Sequence, residues 1–472
     1  MASLSARQLA TLLHGWRAAG VAYAALADRI RLLVLDGRIS PETRLPAERE
    51  LAAQLGVSRT TVTAAYAELR EAGYLHSLRG SGSVARLPFR AATPPDPVGT
   101  GFIDFSKATM PALPAVVNAY REAVDQVPAY LGESGFDPLG LPALRQALAD
   151  RYTTRGLPTD ADQIMVTVGA QSAIALIART ILARGDRALI ENPTYPHALE
   201  ALKAAGARIA PIAVTNDDGW DDIALEQTIQ RTSPSLGYLM PDNHNPTGRT
   251  MPPELRARVL DLAARHGTTL IADETMGELG IGPDGLVTPF AVHGPAITVG
   301  SVGKTIWGGV RVGWIRADRT VIQRLVRERM SSDLGTPLVE QLTVLALLRD
   351  YDAILDARRA FLREGRDRLL GMLRESLPEW EVPTPGGGLT AWVGLGHPVS
   401  SQLAIAARNE GLIIAAGPRF GVDGAFERFI RIPFSYPAEE TRRGVDALAR
   451  AWAAISRHPV AQQGAELSSS VI

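Results

Sequence analysis

Along residues 21–36 the apolar positions Leu26, Ile30, Leu33 and Val34 share one face at helical spacing, and the Asp36-Gly37 pair predicts a turn after them. A second short helix is predicted after Leu45-Pro46, carrying Glu48, Arg49, Leu51 and Leu55 and stopping at Gly56. Ser58 stands where it would cap a third, in which Val62, Ala65, Tyr66 and Leu69 form the buried stripe. Over residues 75–86 the pattern shortens to two strands around Gly80-Ser81-Gly82. Two short helices across a glycine turn, then a hairpin, predict a winged helix-turn-helix over residues 1–87.

Residues 88–103 break this pattern: Pro88, Pro94, Pro95, Pro97, Gly99 and Gly101 crowd a stretch with little to bury, which predicts a semi-stiff linker. Beyond it, apolar strand candidates at 164–168, 187–190, 236–240, 268–272 and 296–299 alternate with helical stretches such as 171–184, 253–266 and 337–349. That alternation predicts an α/β domain over residues 104–458 with a mainly parallel sheet. After about residue 360 a smaller α+β portion follows, with strands at 389–393 and 429–432 and a helix from Ala438; residues 459–472 read as a flexible tail.

The 472 residues, 46% of them hydrophobic, exclude a wholly disordered chain and allow two or three domains. Residues 1–87 hold eleven Arg against seven Asp or Glu, a local charge of +4 in a chain whose net charge is −1, so only the front end is basic. Without cysteine there are no disulfides, thiolate metal sites or cysteine nucleophiles, and no resident metal is expected. No apolar run approaches the roughly 18 residues of a membrane helix, and no signal-peptide core opens the chain, so a soluble cytoplasmic protein without a membrane partner is expected. Of 49 basic residues only Lys107, Lys203 and Lys304 are lysines. A lysine can form an imine, which a guanidinium cannot.

On the third helix the buried stripe leaves Arg59, Thr60 and Thr63 on the exposed face, where side chains of a recognition helix meet base edges and phosphates. Arg49 and the hairpin-tip Arg79 add cations on the same side. The run Leu45-Pro46-Ala47-Glu48-Arg49-Glu50-Leu51-Ala52, then Leu55-Gly56-Val57-Ser58-Arg59-Thr60-Thr61-Val62, resembles the winged helix of GntR-type transcription regulators, and Arg79-Gly80-Ser81-Gly82 resembles their wing. The resemblance implies double-stranded DNA as partner, contacted by Arg49, Ser58, Arg59, Thr60, Thr61, Arg79 and Gly80.

In the α/β portion the unusual residues fall at the C-terminal ends of the strand candidates, where open α/β sheets bind ligands. Strand 164–168 runs into Gly169-Ala170-Gln171-Ser172, a helix start suited to phosphate. The next strands run into Asn192-Pro193-Thr194-Tyr195, Asn245-Pro246-Thr247-Gly248, Asp273-Glu274 and Ser301-Val302-Gly303-Lys304, with Arg311 seven residues on. Taken singly, these also suit a helix start, a packed ring, a turn and a cap; their order and placement favour one pocket. A phosphate cradle, an aromatic plate, an amide, a carboxylate and a lysine together suit pyridoxal 5′-phosphate.

Asn-Pro-Thr-Gly followed by Asp and then Ser-x-x-Lys resembles the signature of fold-type I aminotransferases. That resemblance implies Lys304 as the Schiff-base lysine, Asp273 at the pyridine nitrogen, Asn245 at the phenolic oxygen and Tyr195 on the ring. It further implies Ser301, Arg311, Ala170 and Gln171 at the phosphate, and Arg431, in Phe429-Ile430-Arg431-Ile432, at a substrate carboxylate. The order of the two halves resembles the MocR-type subgroup of GntR regulators. Where that subgroup carries Asp-Asp-Tyr this chain has Asp273-Glu274-Thr275, and where Trp-Pro-Gly is common it has Trp307-Gly308-Gly309. The resemblance implies a homodimeric transcription regulator that senses pyridoxal phosphate or an amino compound. A working transaminase carrying a DNA-binding module, and a repressor whose rear domain only dimerises, stay open as alternatives.

Overall fold

A computed structural model of the chain describes residues 3–13, 16, 22–35, 39, 43–78, 82–86, 102–282, 287–422 and 424–456. Most of the expected linker, the expected tail and the hairpin tip with Arg79 and Gly80 lie outside the described residues. Two compact units divide the chain: one comprises residues up to Ile103 with Ser401–Ile413 and the stretch from Ala447; the other comprises Asp104–Ser400 with Ile414–Asp446.

In the first unit α1 (Ala6–Leu12), α2 (Ala22–Leu35), α3 (Glu48–Leu55) and α4 (Arg59–Glu71) precede the antiparallel hairpin β1 (Leu75–Leu78) and β2 (Gly82–Ala85). The predicted stripes converge: Leu26, Ile30, Leu33 and Val34 of α2 pack with Leu51 of α3 and with Val62, Ala65, Tyr66 and Leu69 of α4. Each such buried aliphatic side chain contributes roughly 1.5–3 kcal/mol. Gly56 ends α3 in the left-handed region at φ 64, and the Ser58 hydroxyl accepts from Thr61 N at the start of α4. The second helix begins at Glu48, after its Leu45-Pro46 signal, because Ala47 is extended at φ -61, ψ 145; the Pro46 carbonyl accepts the Tyr66 hydroxyl at 3.1 Å. Helix α1, unpredicted, adds Leu9 to the same core behind a capping box of Ser5 and Gln8.

The strands that follow are β3 (Ile103–Asp104), β4 (Ile164–Thr167), β5 (Arg187–Asn192), β6 (Arg208–Thr215), β7 (Gly219–Trp220), β8 (Leu236–Leu239), β9 (Thr269–Asp273), β10 (Ile297–Ser301), β11 (Gly313–Arg316), β12 (Thr390–Gly394), β13 (Leu412–Ile413), β14 (Ala415–Ala416) and β15 (Phe429–Pro433). The large sheet runs β4-β11-β10-β9-β8-β5-β6-β7. Strands β6, β5, β8, β9 and β10 are parallel; β11 is antiparallel to both β10 and β4. The C-terminal ends of β4, β5, β8, β9 and β10 therefore share one edge, and the five motif-bearing loops leave from it.

All five strand candidates of the α/β portion are strands. The sequence reading missed β6, whose Pro211 argues against a strand interior, and β11, only four residues long and starting two residues after Arg311. In the second unit a small antiparallel sheet, β12-β15-β14, carries Arg431 on its central strand, opposite Trp392 and Ala415. Among the described residues no helix is long and apolar enough to cross a membrane, and no group of three His, Cys, Asp or Glu is placed to hold a metal ion.

Candidate functional site

On the first unit, Arg49 of α3, the cap Ser58, and Arg59, Thr60 and Thr63 of α4 are exposed, and Thr61 is half-buried. Their hydroxyls are not equally free. Ser58 Oγ lies 2.7 and 2.8 Å from the Thr60 and Thr61 hydroxyls, and the Thr63 hydroxyl donates to Glu48 Oε2 at 2.7 Å, tying α4 to α3. Among the described residues, Arg59 and Arg49 are exposed cations of this face.

On the second unit the strand-end loops assemble a polar pocket. Helix Gly169–Ile181 starts directly after β4, and no side chain caps its first turn. Arg311, at φ 55, reaches back so that its guanidinium donates to Val168 O at 3.2 Å. A Cβ on Gly169, itself at φ +78, would lie 2.7 Å from that guanidinium, and one on Gly313 would lie 2.7 Å from Ala170 N. Bare backbone at both glycines keeps the helix start, the Arg311 cation and Ser301 together. Ser301 Oγ donates to Val312 O and accepts from Gly303 N, both at 3.0 Å. Gln171 offers its backbone here, since its side-chain amide donates to His197 O at 2.9 Å.

This arrangement suits a phosphate dianion. Gly169→Ala must displace the guanidinium from the helix start and adopt a strained backbone, so a phosphate-bearing ligand should bind about fivefold or more weakly. Calorimetric titration of the variant checks it, and unchanged affinity would count against the cradle.

Lys304 follows β10, and its ammonium donates to Ala108 O at 2.6 Å. Burial, with the charges of Arg431 and Arg311 nearby, lowers its pKa to about 8, against the opposing pull of Asp273. Near neutral pH about a tenth of this amine is unprotonated and nucleophilic, far more than for an ordinary lysine. Asp273, buried at the end of β9, accepts from the Tyr238 hydroxyl at 2.6 Å and from Thr275 N at 3.0 Å; burial raises its pKa and these donors oppose the rise. Tyr195 is half-buried at the start of helix Pro196–Ala204, its hydroxyl pushed up to about 12 by burial and by Asp273.

Arg431 is buried, and its pKa is lowered to about 10 by desolvation. Its guanidinium donates to Ser106 O and, at 3.4 Å, to Asn245 Oδ1, lies 4.9 Å from the Phe420 ring centroid, and leaves Nε without an acceptor. Its partners are neutral, so a carboxylate would find the charge unspent. The structure thus places Lys304, Asp273, Tyr195, Arg311 and Arg431 within electrostatic reach of one another, with Asn245 on Arg431.

Sequence reasoning missed three contributors. Tyr238, inside β8, reads as a core aromatic. Segment 104–111 carries no motif, yet its carbonyls accept from Lys304, Arg431, Ser435, Tyr436 and Arg358. Glu191, fully buried, accepts from Trp220 Nε1 and Met240 N, both at 2.8 Å, and lies 3.4 Å from His244 Nε2, which steadies the loop bearing Asn245.

Comparison with known proteins matches residues 99–448 to the family described as aminotransferase class I and II, and residues 22–84 to bacterial regulatory proteins of the gntR family. The uncharacterized HTH-type transcriptional regulator YdcR of Escherichia coli (strain K12) is 28% identical over 440 residues, covering 87% of this chain and 94% of that protein. The 2-aminoadipate transaminase of Thermus thermophilus is 29% identical over 299 residues, 61% of this chain and 75% of that enzyme. Among solved structures, LysN, the alpha-aminoadipate aminotransferase of Thermus thermophilus complexed with N-(5'-phosphopyridoxyl)-L-leucine, superposes with a TM-score of 0.70 at 27% identity, covering 76% of this chain and 94% of that one.

Proposed function

From the premise that this chain belongs to the aminotransferase class I and II family and carries a gntR-family module ahead of that domain, we propose that it is a pyridoxal-phosphate-dependent transcription regulator. Residues 1–87 read double-stranded DNA, 88–103 connect, and 104–458 sense the cofactor together with an amino acid or other amine. Working on DNA, it acts in the cytoplasm.

The observation that carries this reading is a lone amine with a lowered pKa between an anion cradle and a buried carboxylate. These residues fit the cofactor: the backbone of Ala170 and Gln171, with Ser301 and Arg311, would hold its phosphate, Asp273 its ring nitrogen, Tyr195 a ring face and Asn245 the phenolic oxygen. Bound there, pyridoxal phosphate supplies an aldehyde that takes up amines and a ring that withdraws electrons. Lys304 would be the residue it engages, and Arg431 would receive the carboxylate of the incoming amine.

A ligand that engages Lys304 and Arg431 withdraws two donors from the carbonyls of Ala108 and Ser106. Those residues follow, in sequence, the segment that leaves the DNA-binding module. A ligand that changes these contacts favours one state of the segment over another, which regulation requires.

A homodimer is supported by an exposed apolar run, Val117 and Val124 on helix Pro114–Gln126, then Leu131, 75% exposed, and Phe136. Transaminase turnover is the second reading, favoured by the presence of Lys304, Asp273 and Arg431 together. Thr275, which puts no phenol at the position where the MocR-type subgroup carries a tyrosine, favours regulation. A visible spectrum of the purified protein titrated with candidate amines, followed by footprinting upstream of its own gene, tests the proposal. Ordinary turnover of an amino donor with a keto acid, with DNA binding indifferent to cofactor, would reverse it.

Arg59→Ala should weaken DNA binding and lower the slope of log affinity against log salt by about one. The cofactor spectrum should not move. Retardation assays across a salt series measure the first and absorbance the second, and loss of both together would refute the separate roles.

A further inference from the structure

Holding a protonated pyridine nitrogen requires Asp273 to be an anion, yet its burial at the end of β9 favours the neutral acid. Three uncharged donors oppose that pressure directly: the Tyr238 hydroxyl at 2.6 Å, the Thr275 side chain, and Thr275 N at 3.0 Å. The backbone donor is available whatever side chain follows Asp273. The phenol comes from one strand away, on β8, and is fully buried. Burial, together with the charges of Asp273 and Glu191, holds its pKa far above the ordinary tyrosine range, so it remains a donor at every working pH. A buried hydroxyl is costly without a partner, and phenylalanine would fill nearly the same volume. The hydroxyl therefore serves the carboxylate.

Resting on the reading that pyridoxal phosphate occupies this pocket, we propose that Tyr238 is a positioning residue that keeps Asp273 ionised and fixes its carboxylate plane toward the cofactor's ring nitrogen. It acts through Asp273 and need not touch the ring. Loss of the hydroxyl should raise the Asp273 pKa, so the anion, and with it the hold on the ring nitrogen, is lost at a higher pH than in the unsubstituted protein.

The test uses the full chain with Tyr238→Phe and two cofactors: pyridoxal phosphate, and its analogue with carbon in place of the ring nitrogen. Affinity for pyridoxal phosphate should fall about tenfold, as for loss of a hydrogen bond to a charged group. The deficit should widen toward acid pH. With the carbon analogue, unsubstituted and substituted proteins should bind alike, and in an Asp273→Asn background Tyr238→Phe should add nothing. The melting temperature of the cofactor-free protein checks that the variant folds. Equal losses with both cofactors would show a packing role and overturn the proposal, as would no loss with either. An unsubstituted protein that binds neither cofactor overturns the underlying reading and the proposal with it.

Discussion

Replacing Lys304 with alanine should abolish the visible band of the bound cofactor and leave DNA binding by the N-terminal module intact. The side chain is the lone amine facing the pocket, and Arg311, Arg431 and Asp273 surround it without offering a substitute nucleophile. The residues that would hold the phosphate and ring are unchanged in the variant, so the cofactor should still bind, but about a hundredfold more weakly, which corresponds to roughly 2.8 kcal/mol. In the unsubstituted protein, capture of added cofactor should accelerate as pH rises through about 8, where the amine loses its proton, and then level off. The sign for stability follows from the same shift. Because the folded-state pKa lies near 8 and the ordinary value is 10.5, the unfolded chain binds more protons between these values, and the cofactor-free protein gains stability as pH climbs through that window. Lys304→Ala should flatten both profiles. Absorbance, stopped-flow mixing and thermal melts across pH measure them; a retained band in the variant would remove this lysine from its role.

Arg431→Met should separate stability from sensing. The guanidinium is buried among a backbone carbonyl, an amide oxygen and an aromatic face, and one of its nitrogens lacks an acceptor. Its charge has been desolvated without an anion to compensate it, so an apolar side chain of similar length should leave the melting temperature of the ligand-free protein unchanged or higher. The response to carboxylated amines should collapse, since losing one partner of a buried charge pair costs about 2–5 kcal/mol, roughly 30- to 5,000-fold in affinity. Decarboxylated analogues of the same amines should lose far less. Equal losses for both ligand classes, measured by spectral titration, would take the carboxylate away from this residue.

How much of this was legible beforehand depended on how local the signal was. The stripe Val62, Ala65, Tyr66 and Leu69 is a period-3.6 pattern with a capping serine, and the observed α4 follows it residue for residue. The five strand-end motifs could be read because each joins an apolar run to a turn or helix start. Tyr238 could not, because an aromatic in a fully buried strand looks the same whether its hydroxyl is idle or bonded to a carboxylate 35 positions later. Thr63 was read as a DNA contact from its helical face alone; the hydrogen bond that spends its hydroxyl comes from Glu48, on another helix. Contacts made by segment 104–111 have no periodic signature, since they use carbonyl oxygens that every residue possesses.

Those carbonyls set the sensitivity of the pocket. While Ala108 O and Ser106 O engage the amine and the guanidinium, the polypeptide acts as its own weak competitor, and any incoming molecule must outbid a tethered rival present at a fixed effective concentration. The observed dissociation constant then equals the intrinsic one divided by the fraction of time the two cations stand free. A detector built this way answers half-maximally at a higher ligand concentration than its intrinsic affinity would give, and a substitution that loosens the tether would lower that concentration without touching any atom of the ligand.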